Sequence, residues 1–378
     1  MRLTHLIYIL IFFMIMLTII LLLMLYNKIN TKNCIYYYQN GDVGENIDLT
    51  TKAIFKKYSI IKTTDQSQAL LYIPYSYNYI PQEIEKMPSY CNKYYFILES
   101  IHLFIGKENL CTMIKDYYKE EALDIIPESY TTSSIVDMKL FKKEFDSNKK
   151  YILKKNTQCQ DNIVISSSYD RIMKLVLDYD KKYVIVQVLL QDPYLVLQRK
   201  INLRVYMLLI YRKGNLEVYI YEDGFIYYTP EFYVENSDKN EHNITTGYID
   251  RSVYKTNPLT HKNLKTYMGK DRYQILLNNI QLLIIKIIRV YAQTLIETQP
   301  FKDSTMFELF GCDVAVNSDL SVKIMEINKG PDLGPKSRED AKLKSSLVED
   351  MFELTNIITK KSNNNNNNNN NSFRQLFY

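Results

Sequence analysis

Residues 307–331 constrain this 378-residue chain more than any other stretch. They read Phe-Glu-Leu-Phe-Gly-Cys-Asp-Val-Ala-Val-Asn, then Ser-Asp-Leu-Ser, then Val-Lys-Ile-Met-Glu-Ile-Asn-Lys-Gly-Pro. Two apolar runs joined by a polar turn read as an antiparallel hairpin. If Asn317 pairs with Val322, paired positions keep a constant sum and Asp313 falls opposite Glu326. Side chains alternate along a strand, so Glu326 and Asn328 share a face, and cross-strand partners share it too. Two carboxylates and an amide oxygen are the hard ligands that Mg2+ takes alongside substrate phosphates. Spacing alone also allows a surface hairpin with solvated acids. Against that stands the position of both acids at the ends of apolar runs, where strands are buried.

The length allows two or three domains. Apolar residues make up 46% and charged residues 24%, a globular balance plus a membrane contribution. The net charge of +5 is mild and forms no basic stripe, so no nucleic-acid partner is expected. The five cysteines, at 34, 91, 111, 159 and 312, are odd in number and none are at ligand spacing. They read as reduced thiols facing a cytosol.

Residues 5–26 are almost wholly apolar, long enough for one crossing of a bilayer core of ~30 Å. Asn27-Lys28-Ile29-Asn30 follows in place of a small-residue cleavage site, which favours a signal anchor over a cleaved signal peptide. The expected organisation is a transmembrane segment at 5–26, a smaller α/β domain at 34–130, a larger body at 131–362 and an asparagine-rich disordered tail at 363–378. In the body, Tyr151-Ile-Leu-Lys154 reads as a strand ending in a lysine suited to a phosphate. Residues 183–193 read as a buried strand holding Gln187, which serves either as a ligand contact or as a paired core amide. Lys200, Asn202 and Arg204 fall at i, i+2 and i+4, so they line one face of a strand and suit phosphate or carboxylate groups. A solvated sheet face is the competing reading. The Asp223-Gly224 step predicts a hairpin between 216–221 and 224–228. Residues 271–298 and 339–359 predict helices.

In this order the pieces resemble the tubulin-tyrosine-ligase-like family, from about residue 107 to 331. They are Ile126-Pro-Glu-Ser-Tyr130, Tyr151-Ile-Leu-Lys154, the hinge from Val186 through Gln187, Arg199-Lys-Ile-Asn-Leu-Arg204, Asn243-Ile-Thr-Thr246, and the hairpin motif with Asp313, Glu326 and Asn328. The resemblance implies an α/β (α+β) fold with an ATP-grasp-like ligase domain at 131–362. It implies ATP and Mg2+ as cofactors. It also implies transfer of a free amino acid, of tyrosine or glutamate type, to a carboxylate of a protein acceptor through an acyl-phosphate. The acceptor would be tubulin or another protein tail. By the same resemblance, Lys154 contacts phosphate, and Gln187, Val188 and Leu189 hold adenine, with Asn202 and Thr246 beside the nucleotide. Lys200 and Arg204 face nucleotide or substrate, and Asp313, Glu326 and Asn328 bind magnesium. Such chemistry places the body of a single-pass protein on the cytosolic side. Three departures stand out: no glycine in the loop after Lys154, Asn202 in place of an acid, and Thr246 in place of an asparagine. They keep open a second expectation, a catalytically impaired nucleotide-binding adaptor on a membrane.

Overall fold

The computed structural model describes residues 34–41, 46–76, 78–156, 163–178, 180, 182–360 and 371–378, together with Met14, Met16 and Thr18. Those three are helical, and the Thr18 hydroxyl donates to the Met14 carbonyl at 2.7 Å. The remainder of the expected membrane span at 5–26 lies outside the described residues.

Strands run in chain order as β1 (Ile35–Gln39), β2 (Ile60–Lys62), β3 (Leu71–Ile73), β4 (Tyr94–Tyr95), β5 (Ser129–Thr131), β6 (Tyr151–Lys155) and β7 (Val164–Ser166). They continue as β8 (Tyr183–Val188), β9 (Leu195–Val196), β10 (Arg199–Arg212), β11 (Asn215–Tyr228), β12 (Thr305–Val316), β13 (Val322–Lys329) and β14 (Phe373–Leu376). A large mixed sheet has the order β14-β11-β10-β12-β4-β3-β1-β2, with β13 also on β12 and β9 on β10. A smaller sheet has the order β5-β8-β6-β7. The expected boundary at 130/131 therefore does not separate two sheets. β1 to β4 continue the sheet of β10 to β13, and residues 129–188 form the outlying layer.

Alternation along β10 explains how the layers assemble. Ile201, Leu203, Val205, Met207 and Leu209 enter one core, shared with Leu276, Ile280, Ile284 and Ile288 of the helix Lys270–Thr298. Tyr206, Leu208 and Ile210 enter the opposite core, shared with Leu347, Met351 and Phe352 of the helix Arg338–Leu354. Each buried aliphatic side chain contributes about 1.5–3 kcal/mol. Among the described residues, Lys270–Thr298 is the one helix long and apolar enough to cross a membrane. Its inward row is core, as the interrupting polar residues predict. Lys200, Asn202 and Arg204 continue the face of Tyr206 and Leu208, beyond its apolar section.

Two local expectations are corrected. Asp223-Gly224 is not a chain-reversing turn: β11 continues from Asn215 to Tyr228, with an irregularity in its ladder to β10 between Ile220 and Gly224. The turn is Lys213-Gly214, with φ of 50° and 83°, the paired positive values of a tight hairpin. Gly224 serves close approach instead, because a Cβ there would lie 2.1 Å from the Arg204 carbonyl oxygen and 2.7 Å from the His261 ring. The expected disordered tail also differs. Residues 361–370 lie outside the described residues, but Phe373–Leu376 form β14 on the edge of β11. Both corrections arise because long-range packing, absent from local composition, decides these segments.

Gly224→Ala is therefore expected to cost more stability than Gly214→Ala. At 214 a methyl meets nothing within 4 Å, and only the positive φ is penalised, by about 1 kcal/mol. At 224 it must displace backbone, costing about 3 kcal/mol or more. Urea unfolding of both variants checks this, and equal losses would contradict the close-approach account.

Candidate active site

The metal-type hairpin forms as β12 and β13, and Asp313 pairs with Glu326 in the ladder. The register expected near the turn does not form, however. There Val316, not Asn317, pairs with Val322, and Val314 pairs with Ile324. An irregularity between Asp313 and Val314 leaves Met325 without a ladder partner and restores the expected pairing at the site. The extra residue reverses the facing of Glu326 and the positions after it. Val322 and Ile324 point into the core with Ile327, while Glu326 and Asn328 take the other face, that of Asp313.

On that face Arg204 lies directly opposite Asp313 in the β10–β12 ladder. Its guanidinium forks onto the carboxylate, Nε to Oδ1 at 2.8 Å and Nη2 to Oδ2 at 3.2 Å. Asn328 Nδ2 donates to the same Oδ2 at 3.4 Å. The guanidinium also stands 5.1 Å from the centre of the Tyr227 ring. Gly311 makes room for it, since a Cβ at 311 would lie 2.6 Å from Arg204 Nη1. Burial raises the Asp313 carboxyl above its usual range, against the opposing pull of Arg204. Burial disfavours the charge on Arg204 too, but Asp313, Tyr227 and Tyr206 together outweigh this and keep it cationic.

Glu326 is held by a residue the sequence reading did not single out. Lys107, the first residue of the helix Lys107–Tyr118, donates to its Oε1 at 2.8 Å. The sequence signal available was a lysine opening a helix after Gly106, too common a pattern to mark a site. Both expected metal-binding carboxylates are thus balanced by side-chain cations.

The smaller sheet supplies the facing wall. Tyr151 and Leu153 point inward with Phe141 and Ile172, so Ile152 and Lys154 point outward. Lys154 Nζ donates to Gln187 Oε1 at 2.7 Å, and Gln187 Nε2 donates to Ser129 Oγ at 2.8 Å. Gln187 is therefore a paired buried amide that positions Lys154. Burial, with the charge of Lys107 second, lowers the Lys154 ammonium to about 8. Lys200 is lowered to about 8 by burial and then by Lys154. Lys154 thus stands within electrostatic reach of Lys107, Glu326 and Asp313 across the two sheets, and Lys200 within reach of Lys154. Among the described residues neither Lys154 nor Lys200 has an ion pair, and the buried Oδ1 of Asn202 lacks a hydrogen-bond partner. Cations without counter-ions fit a polyanionic ligand, while the orphaned Asn202 acceptor calls for a donor such as a hydroxyl.

The other expected contacts are placed less directly. The N–H groups of Val188 and Leu189 already donate to the carbonyls of Glu128 and Lys150, both at 2.8 Å. The Leu189 side chain, with Ile152 and Ile165, forms a small apolar cluster joined by Ile163 and Ile244. Beside it lies a cleft of about 160 Å³ lined by Ile163, Pro230, Asn240, Glu241 and Ile244. Thr246 bridges to Tyr228 at the end of β11, and its hydroxyl accepts from the Tyr248 N–H at 3.0 Å. Asn243, which opens the sequon Asn243-Ile-Thr245, is buried and donates to the carbonyls of Ser237 and Lys239. Among the described residues no cluster of three His, Cys, Asp or Glu side chains is placed to hold a metal. The oxygen set of Asp313, Glu326 and Asn328 contains two carboxylates and an amide. It suits a cation that completes its shell with phosphates and water.

Asp313→Ala is expected to destabilise the fold by about 3 kcal/mol, because it strands a buried guanidinium. Arg204→Met combined with Asp313→Leu should recover most of that loss. Chemical denaturation of the single and double variants measures the coupling, and additive losses would show that the pair does not act as a unit.

Comparison with known proteins supplies the family. A model of the family described as "Tubulin-tyrosine ligase family" matches residues 82–365. A Bos taurus protein named "Probable tubulin polyglutamylase TTLL9" is 26% identical over 186 residues, covering 46% of this chain and 38% of its own. A Tetrahymena thermophila "Probable beta-tubulin polyglutamylase" is 25% identical over 249 residues, covering 58% and 20%. The Drosophila melanogaster "Tubulin glycylase 3B" is 24% identical over 216 residues, covering 53% and 28%. Matched regions thus span about two fifths or less of these relatives' own lengths. The family match takes in every candidate residue from Lys107 to Asn328, and the chain belongs to the tubulin-tyrosine ligase family.

Proposed function

We propose that this chain is an ATP-dependent ligase that joins a free amino acid to a carboxylate of a protein tail, with tubulin the first acceptor to test. The observation that carries this reading is Lys154, without an ion-pair partner, standing near Asp313 and Glu326 of the oxygen set, with Lys200 near Lys154. Polyglutamylase and glycylase names among the relatives favour tubulin and a glutamate or glycine donor. Motif resemblance by itself pointed to tyrosine or glutamate.

The chemistry needs few groups. An acceptor carboxylate oxygen attacks the γ-phosphorus of ATP and ADP departs, leaving an acyl-phosphate. The amine of the incoming amino acid then attacks the acyl carbon, phosphate leaves, and the amine proton passes to solvent or phosphate. Positioning and charge neutralisation dominate such transfer. Lys154 and Lys200 hold phosphate oxygens. The apolar cluster of Ile152, Ile165 and Leu189 offers a slot for the base, while Gln187 keeps Lys154 in place. Asp313, Glu326 and Asn328 would hold magnesium, which neutralises phosphate charge when bound. Arg204 keeps the Asp313 carboxylate oriented, and Lys107 balances Glu326 beforehand.

Mass spectrometry of tubulin tails after incubation with ATP, magnesium and isotopically labelled amino acids tests the reaction. Product should fall at least about 100-fold in Glu326→Gln, a change that preserves shape and removes one anionic ligand. ATP affinity should hold steady below pH 8. Above it, affinity should fall by up to about tenfold per pH unit for each lysine, because the free ammoniums lose their protons near 8 and bound phosphate favours the charged form. A second reading, a nucleotide-binding adaptor, is motivated by the uncharged Asn202. Tight ATP binding with no transfer to any acceptor tail would select it, and absence of ATP binding would remove both readings.

Residues 5–26 are proposed to anchor the chain in a membrane as a single span, with the body on the ATP-containing cytosolic side. The full chain should remain in the membrane pellet after alkaline carbonate extraction. A chain with three of those apolar residues changed to lysine should not, and equal release of both would remove the anchor.

A further inference from the structure

We propose that residues 371–378 are a detachable docking strand, and that the edge of β11 is a groove for an extended peptide. That peptide carries an aromatic residue and, three positions later, a leucine, and the occupant is the chain's own segment 371–378. The segment lies beyond the family match, which ends at 365, and its docking is independent of the ligase reading.

The contacts are those of strand addition to a sheet edge. Phe373 to Leu376 pair antiparallel with Tyr221 to Val218, and the Glu222 N–H donates to the Ser372 carbonyl at 2.9 Å. Two side chains clamp the edge from opposite faces. Phe373 meets Tyr221 edge-on at 5.0 Å in the core of the helix Arg338–Leu354. Leu376 enters the other core, that of the helix Lys270–Thr298. Arg374 pairs with Glu222, and the Tyr378 hydroxyl donates to the Leu216 carbonyl at 2.9 Å. An edge left bare would present unpaired N–H and C=O groups to other chains, so the tail also guards it.

The tether sets this strand apart from the others. The residues on either side of 361–370 meet the same two acids. On one side Lys360 pairs with Asp350, and with Glu353 at 2.9 Å. On the other, Asn371 Nδ2 donates to the Asp350 carbonyl at 2.8 Å and to Glu353 Oε2 at 3.1 Å. The Ser372 N–H donates to Asp350 Oδ2 at 3.1 Å. A connection that returns to its starting point does not set the strand's position by its length. Its run of asparagines from 363 to 371 carries no alternation that would specify a turn. The tether supplies only effective concentration.

A protease site placed within the asparagine run of the full chain tests this. After cleavage the tail should co-elute with the body at micromolar concentration and be replaced by excess fluorescent peptide Asn-Ser-Phe-Arg-Gln-Leu-Phe-Tyr. The same peptide carrying F373A and L376A should not compete. In the uncleaved chain, tripling the run should reduce effective concentration about fivefold and lower Tm by no more than about 3 °C. Phe373→Ala should lower Tm by about 5–10 °C. The proposal is overturned by a cleaved tail that never exchanges, by a tail that leaves without any peptide binding, or by a Tm that collapses when the run is lengthened.

Discussion

Everything in the large sheet depends on the pairing of β10 with β12. Their ladder runs from Asn202 opposite Ala315 to Arg212 opposite Thr305. At one end β12 also takes β4 in parallel, which ties in the amino-terminal strands. At the other end the same edge takes β13. Within the strand, Glu308 is fully buried and accepts the Leu98 N–H at 3.1 Å. Burial lifts its carboxyl to about 8 against the opposing Leu98 N–H and the charge of Lys329, and the Leu98 bond joins the two halves. The ladder thus sets both the continuity of the fold and the placement of Arg204 opposite Asp313.

That placement illustrates how a sheet builds a charged centre without long loops. The face of β10 that carries Tyr206, Leu208 and Ile210 is covered by the helix Arg338–Leu354. Two residues earlier along the same face the side chains become Arg204, Asn202 and Lys200. One continuous surface therefore serves as core along one section and as site along the next. The smaller sheet does likewise with Ile152, Lys154 and Gln187. Burial between the two surfaces keeps water scarce, which depresses the lysines and strengthens each charge interaction.

The bulge at Met325 shows why a correct expectation can rest on an incorrect premise. A regular strand from Val322 would put Glu326 on the face of Val322 and Ile324, which is core. One extra residue lets the apolar pair turn inward and the two polar ligands turn outward. The hydrophobic pattern and the ligand pattern of β13 are incompatible without it. Gly311 and Gly224 are accommodations of the same kind, the first for the Arg204 side chain and the second for its carbonyl.

By itself the sequence determined the elements whose signal is local: the long helix at 271–298 and the strand faces of β10. In each, a period of 2 or 3.6 repeats over enough residues to select one conformation. Motif order likewise pointed to the family. Only the tertiary structure decided the rest. Lys107 joins Glu326 across 219 positions, a contact that no local pattern encodes. Gly224 is a packing glycine rather than a turn because β10 lies against it. The tail becomes a strand because β11 offers an open edge and two cores offer pockets for Phe373 and Leu376. In each case the deciding energy comes from surfaces distant in sequence, which become visible only when the sheet brings them together.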